Sequence, residues 1–292
     1  MKLKPLALKG FVATLLILCG QSVLARNNGT CSVAFSATDE GYCTFTPDYL
    51  KTSVYKFGLC QTKPNYLNYS DCQFFINSDS AIDVTISEET LFQISNEMTL
   101  ETGTYQYLVQ LWDNKVSFKF IQEFATPQYG ADGVAGSFCY TNGADATMVP
   151  DVATLRNISC AQTRTLAETS AAPSVETLTY LDGPLDSIVT NVNSISGQWD
   201  GYLLSDTTTL ATITINTSPN GGTYSSTNAN YFFSVMTLNE PVKINEDTDY
   251  LYVGVLLKDA MAIGSYAGNS ATNILGTWCN GGIQYGSQFA CI

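Results

Sequence analysis

The sequence contains no histidine, and this absence restricts the chemistry open to it. Histidine is the usual general base near neutral pH and the commonest metal ligand in proteins. The sequence also lacks a Gly-x-Ser-x-Gly nucleophile motif, a phosphate-binding loop and a dinucleotide fingerprint followed by a helix. We therefore expect a protein that is not an enzyme and that needs no cofactor. Glycoside hydrolysis by two carboxylates needs no histidine, so this activity stays open as an alternative.

Basic residues are scarce, with 13 Lys and Arg against 26 Asp and Glu. Nucleic-acid binding depends on Lys and Arg side chains that neutralise phosphates. We therefore do not expect nucleic acid as a partner. The excess of acidic residues is typical of a soluble, self-repelling exported protein.

Long apolar runs are missing as well. Phe11–Cys19 is apolar over nine residues, less than half of the roughly 20 that a membrane-spanning helix needs. Three lysines precede this run and the small-residue stretch Val23-Leu24-Ala25 follows it, which predicts a signal peptide over residues 1–25. Its removal leaves ten basic and 26 acidic residues, a net charge of −16. We expect a secreted protein without a membrane span, extracellular or at the cell surface, with the periplasm as the alternative compartment.

Eight cysteines remain after removal of the signal peptide, an even number that favours disulfides in an oxidising compartment. When neighbouring cysteines are paired along the chain, three of the four pairs each enclose eleven residues and the remaining pair encloses twenty. Pairing of neighbours in sequence fits loops that return the chain to an adjacent strand. The predicted pairs are Cys31 with Cys43, Cys60 with Cys72, Cys139 with Cys160, and Cys279 with Cys291.

The hydrophobic pattern is that of β-strands almost throughout. Alternation over 103–112 and 115–120 predicts two strands. Asp113-Asn114 lies between them, a dipeptide that tolerates the backbone conformation of a tight hairpin turn. We expect one buried face on this hairpin, lined by Tyr105, Tyr107, Val109, Leu111, Val116, Phe118 and Phe120.

The same pattern predicts the fold class, an all-β, antiparallel, sandwich-like protein. The 267 residues that follow the signal peptide exceed a typical single domain. A stretch with one proline and three glycines divides the cysteines four and four. We predict two disulfide-stabilised domains, an N-terminal β domain over 26–126 and a C-terminal β domain over 137–292, joined by a linker over 127–136.

One segment combines aromatic rings with polar side chains in the manner of sugar-binding sites. Within Gln198-Trp199-Asp200-Gly201-Tyr202, an exposed Trp199 would stack on a sugar and Asp200 would bond adjacent hydroxyls. We take Trp199, Asp200 and Tyr202 as candidate ligand-binding residues. The alternative is a turn that contains a core tryptophan.

A second segment carries oxygen ligands at alternate positions, Asn245, Asp247 and Asp249, and is a candidate calcium site. The EF-hand pattern fails, because Tyr250 and Leu256 stand where the motif has glycine and glutamate. An acidic, solvent-facing loop is the alternative.

Four Asn-x-Ser/Thr sequons occur, at Asn28, Asn68, Asn157 and Asn216. The composition gives about four by chance, so their number carries no information on glycosylation.

Together these features favour an exported, surface-associated structural or adhesive β protein that acts by binding or assembly. Its expected partner is itself, as an oligomer or filament, or a surface glycan. The alternative is a carbohydrate-binding module or a carboxylate-dependent glycoside hydrolase.

We predict that all eight mature cysteines are oxidised in the sequential pairs given above, because each pair closes a short loop. Peptide mapping under non-reducing conditions measures the pairing. A link between Cys31 and Cys160, or several free thiols, would contradict the prediction.

Overall fold

The computed structural model describes residues 28–32, 42–87, 90–94, 101–148, 157–179, 187–193, 197–212, 214–218, 221–225, 228–246, 248, 251–255, 257–259, 261–265 and 275–279.

The fold is nearly all β, as the alternating pattern predicts. The elements, in chain order, are β1 (Thr30–Cys31), β2 (Tyr42–Phe45), β3 (Tyr49–Cys60), β4 (Cys72–Ile86), β5 (Thr90–Ile94), β6 (Gly103–Asp113), β7 (Lys115–Lys119), β8 (Ile121–Tyr129), β9 (Ala135–Thr141), β10 (Ala146–Met148), β11 (Ile158–Ala161), α1 (Arg164–Ser170), β12 (Ser174–Leu178), β13 (Ile188–Asn193), β14 (Gly197–Leu204), β15 (Thr214–Ser218), β16 (Gly221–Ser225), β17 (Tyr231–Ile244), β18 (Leu251–Val255), β19 (Met261–Ser265) and β20 (Leu275–Cys279).

The largest sheet among the described residues has nine strands. Its order is β10, β12, β7, β3, β6, β17, β14 and β13, and β4 pairs with the other edge of β3. A four-stranded sheet has the order β1, β8, β9 and β11, and a three-stranded sheet has the order β2, β19 and β20. The pairings are antiparallel except β1 with β8 and β10 with β12. The predicted antiparallel β architecture is confirmed.

The predicted hairpin at Asp113-Asn114 is wrong, because β6 and β7 do not pair with each other. Both strands pair with β3, in which Val54 lies opposite Trp112 and Lys51 opposite Ser117. Since β4 occupies the opposite edge of β3 along its length, β6 and β7 follow one another along the same edge. The chain therefore continues past Asp113-Asn114 instead of reversing there.

Asn114 stays buried at this junction because hydrogen bonds hold it on all sides. Its Nδ2 donates to the carbonyls of Leu178 at 2.9 Å and Ala229 at 2.8 Å. Its backbone N–H donates to Asn230 O, and its carbonyl accepts from the N–H of Leu178. β12 pairs with β7, and β17 pairs with β6. Asn114 lies between β6 and β7 and therefore binds both the end of β12 and the segment that leads into β17.

Five of the seven side chains expected on one hairpin face are buried, but they belong to three separate clusters. Tyr105 packs with Leu59 and Ile244, Val109 and Leu111 belong to a second cluster, and Phe118 and Phe120 belong to a third. The predicted burial is thus largely present, whereas a hairpin face shared by all of them is not, because the chain does not reverse at Asn114. This break separates the strand that carries the first three residues from the segment that carries the last two.

The cluster around Phe118 and Phe120 joins strands from both ends of the chain. It also contains Phe45 of β2, Cys139 of β9 and Met261 of β19. The nine-stranded sheet likewise takes strands from both sides of the predicted linker. Residues 127–136 themselves form the end of β8, a turn and the start of β9, which pair as an antiparallel hairpin. The predicted linker thus coincides with the turn of a β hairpin, and the division into two domains stays a prediction.

Three disulfides follow the predicted sequential pairing: Cys31 with Cys43, Cys60 with Cys72, and Cys139 with Cys160. The second and third join residues that lie directly opposite on neighbouring strands. They indicate an oxidising compartment. The fourth predicted pair involves Cys291, which lies outside the described residues.

The helix α1 is short and capped by Thr163, whose side chain accepts from the Leu166 N–H. Within the described ranges, no helix has the length and apolarity required to cross a membrane.

The long strand β4 is irregular in its middle. Val54 pairs with Ile82 and Lys56 with Asn77, so four residues of β4 stand opposite the single Tyr55 of β3. The extra residues, Ser78–Ala81, are largely exposed, and Ser78 Oγ donates to the Ser80 carbonyl.

Replacing Asn114 with Ala should lower the free energy of unfolding by about 2 to 4 kcal/mol, because two interior carbonyls lose their donors. Denaturant unfolding measures this loss. Asn77→Ala is the matched control: Asn77 is exposed and accepts a bond from Lys56 Nζ, so about 0.5 kcal/mol or less is expected. Equal small effects of both substitutions would contradict the assigned role of Asn114.

Candidate binding site

The candidate ligand residues of β14 divide between the two faces of the sheet, because successive side chains of a strand point in opposite directions. Asp200 and Tyr202 share one face, and Trp199 lies on the other. Across the sheet, Tyr202 is opposite Phe233 of β17, and Asp200 is opposite Val235. The three residues therefore cannot act together on one ligand.

Trp199 is a core residue. Its side chain is 3% exposed and packs edge-to-face against Phe232, with ring centroids 6.1 Å apart. The same cluster contains Leu203, Ala211 and Ala229. The expectation of an exposed indole platform is thus corrected by its burial, and the alternative of a core tryptophan is the one observed.

Asp200 is buried and is held by a lysine from a distant loop. Lys63 Nζ lies 2.7 Å from Asp200 Oδ2, and the side chains are 47% and 7% exposed, respectively. A buried carboxylate requires such a charge partner. The cation approaches from the solvent side of the sheet, so Asp200 anchors the segment that carries Lys63.

That segment is the closed loop, which we define as residues 61–71, between the disulfide-bonded Cys60 and Cys72. Two of its tyrosines pack onto the sheet face that carries Asp200. Tyr66 lies against Tyr202, with ring centroids 5.2 Å apart, and Tyr69 lies against Phe233 at 5.4 Å. A disulfide, an ion pair and two ring contacts thus hold the closed loop against the sheet.

A close approach at Gly58 completes this packing. A Cβ at Gly58 would overlap the Gln73 carbonyl oxygen and lie 2.9 Å from both Phe74 Cα and Phe74 Cδ1, so a larger residue there would displace the backbone of β4 as well as the Phe74 ring. That ring meets Tyr69 edge-to-face at 6.0 Å, and Lys56 Nζ lies 5.5 Å from its centroid. Tyr69 is therefore packed between rings of β4 and β17.

The tip of the closed loop has its own hydrogen bonds. Asn65 Oδ1 accepts from the N–H groups of Leu67 at 2.9 Å and Asn68 at 3.0 Å. The backbones of Asn65 and Asn68 also exchange two hydrogen bonds. Between them Leu67 is 65% exposed. The tip thus presents an apolar side chain to solvent on a backbone that is already fixed.

Burial and charge shift the titration of the groups around the ion pair. The hydrogen bond to Asp200 raises the pKa of Lys63. Burial raises the pKa of Tyr202, and the nearby Asp200 charge adds to this effect. Burial alone raises the pKa of Tyr69. At neutral pH Lys63 is therefore a cation, and Tyr69 and Tyr202 are neutral.

The candidate calcium residues are only partly described. Asn245 Oδ1 accepts from Thr248 Oγ1 at 3.1 Å, and Thr248 Oγ1 accepts from the Asn245 N–H at 3.0 Å. This is a local turn. Asp247 and Asp249 lie outside the described residues. In the part of the chain that the structure describes, no three His, Cys, Asp or Glu residues lie together as a metal site.

The sequence predicted the disulfide between Cys60 and Cys72 that closes this loop. It did not predict that the closed loop itself would form a candidate binding site. A usable signal was present, since Pro64-Asn65 predicts a turn and Tyr66 and Tyr69 follow it between two cysteines. The pairing of Lys63 with Asp200 has no local signal, because the two residues are far apart in the sequence.

The arrangement is suited to recognition. Functional loops are commonly held by a rigid scaffold, and a segment already ordered in its bound conformation loses less entropy on binding. Asp200 and Tyr202 serve this arrangement by holding the closed loop, whereas Leu67 and the polar residues of the tip face outward.

Replacing Lys63 with Met should cost about 1 to 3 kcal/mol of unfolding free energy, because it leaves the buried Asp200 carboxylate without its cation. Asp200→Asn should cost less, because the half-exposed Lys63 can turn to solvent. Lys51→Met is the control, since it breaks the exposed pair with Asp83, at 3.5 Å, and should cost under about 0.5 kcal/mol.

The raised pKa of Lys63 fixes the pH dependence of this effect. The contribution of the cation is complete below the pKa of lysine in the unfolded chain and is lost as the pH rises through the higher folded value. The stability difference between the parent and Lys63→Met should therefore be constant near neutrality and shrink only above the ordinary value of 10.5. A difference that disappears at neutral pH would contradict the ion pair.

The chain matches no protein-family model, no curated protein and no solved structure. Its candidate site therefore has to be understood from its own contacts.

Proposed function

We propose that this chain is an exported, surface-associated protein with a structural or adhesive role, which acts by binding and not by catalysis. Three disulfides in the described residues support export to an oxidising compartment. The predicted signal peptide points the same way.

The single observation that carries this proposal is the closed loop with its exposed tip. A large apolar side chain on a fixed backbone loses little entropy when it is covered by a partner. Energetically important contacts at interfaces are typically few and are buried on binding. Leu67 is available for such a contact on the free protein, because its side chain is exposed while Asn65 fixes its backbone N–H.

The partner class decides between two forms of this function. If the protein assembles with itself, the purified native protein forms large oligomers or filaments. If it adheres to a surface, it binds components of that surface, and glycans are the first class to examine. Light scattering after size-exclusion chromatography measures the assembly, and a glycan array measures sugar recognition. A monomer that binds nothing on the array and is not retained on the surface of its source cells would contradict the proposal.

Replacing Leu67 with Ser should weaken the measured association at least about tenfold, or 1.4 kcal/mol, while the melting temperature stays unchanged because the side chain is exposed. Leu166→Ser is the matched control, since Leu166 on α1 is 53% exposed. It should alter neither association nor stability. Equal losses of association in both variants would place the binding surface elsewhere.

A further inference from the structure

The four sequons of this chain have different surroundings, a distinction that the sequence does not contain. An acceptor asparagine must offer its Nδ2 to a large, hydrophilic glycan, so glycosylated asparagines lie at the surface of exported proteins. The folded environment of each Nδ2 can therefore separate suitable acceptors from unsuitable ones.

Two of the four asparagines use Nδ2 inside the fold. Asn157 is fully buried, and its Nδ2 donates to Glu176 Oε1 at 2.7 Å. Asn28 donates from Nδ2 to the Ile121 carbonyl at 3.4 Å, and its Oδ1 accepts from the Thr46 N–H at 3.0 Å. A glycan on either nitrogen would break a contact that joins distant parts of the chain.

A third asparagine, Asn216, lies in the middle of β15. There it is paired with Thr223 of β16.

Asn68 differs from Asn28 and Asn157. It is exposed at the tip of the closed loop, and among the described residues its Nδ2 makes no hydrogen bond. The hydroxyl of Ser70, the third sequon residue, donates to Asn68 Oδ1 at 3.2 Å. The intervening Tyr69 packs inward against Phe233, so the flanking Asn68 and Ser70 are left on the solvent side.

We propose that Asn68 is the N-glycosylation site of this chain when it is exported through a membrane that carries an oligosaccharyltransferase. The donor is an oligosaccharide linked to a lipid pyrophosphate. Asn68 Nδ2 forms a bond to the anomeric carbon of the first sugar, and the bond from that carbon to the pyrophosphate oxygen breaks. The lipid pyrophosphate leaves with the electron pair, and Nδ2 loses one proton.

The proposed glycosylation of Asn68 does not require the closed loop to bind any particular partner. A glycan on Asn68 would stand next to Leu67 and cover part of the tip. The glycosylated and unglycosylated proteins should therefore differ in access to Leu67 but not in fold.

Expression of the full chain in a eukaryotic secretory host tests this site. The secreted protein should gain the mass of one N-linked oligosaccharide, and peptide N-glycosidase should remove it and leave aspartate at position 68. Asn68→Gln and Ser70→Ala should abolish the gain, whereas Ser70→Thr, which keeps the hydroxyl, should retain it.

Translation with microsomal membranes gives a second readout, a gel shift that needs no secretion of folded protein. The shift should occur with the parent and be lost in Asn68→Gln. An unmodified Asn68 in both systems would overturn the proposal. So would a secreted, folded protein that carries its glycan on Asn28 or Asn157 instead.

Discussion

The structure depends on the hydrogen bonds of one buried amide, that of Asn114. Its Nδ2 donates to carbonyls of two segments that come from distant parts of the chain, Leu178 and Ala229. A buried carbonyl without a donor is costly, so these bonds fix where β12 and β17 meet the central strands. Asn114 thus links the β12 edge of the nine-stranded sheet directly to the chain entering β17, two parts that backbone pairing connects only through β7, β3 and β6.

The position of the candidate site follows from this constraint. β17 is held beside β6 with Tyr231 opposite Asp113, one residue before Asn114, and β14 is aligned on β17. This alignment brings Asp200, Tyr202 and Phe233 to one face, where the closed loop packs on them. The disulfide at the base of the closed loop and the ion pair between Lys63 and Asp200 then hold the loop against this face. The alignment of β14 on β17 determines the geometry of that face.

The sequence predicts local order well and long-range order poorly. Alternation in β3, β6 and β17 and the spacing of the cysteines are local signals, and the strands and three disulfides agree with them. The hairpin predicted at Asp113-Asn114 was wrong because a dipeptide that suits a hairpin turn also suits a break between two strands that run on in the same direction. Only the hydrogen-bond partners of Asn114 distinguish the two structures. The prediction for Trp199 failed for a similar reason. A tryptophan beside an aspartate gives the same local sequence whether its ring faces the core or the solvent. The pairing of Lys63 with Asp200 could not be predicted, because it depends on the folded path of the chain.

The irregular middle of β4 has a consequence for solubility. Within the described residues, β4 pairs on one side only, and a long regular strand with a free edge can recruit a strand from another molecule. Ser78–Ala81 interrupt its register, and Asp79 within them adds a charge. Bulges and charges at sheet edges hinder edge-to-edge aggregation. A second molecule therefore meets two short ladders instead of one long template, which disfavours amyloid-like pairing along this edge.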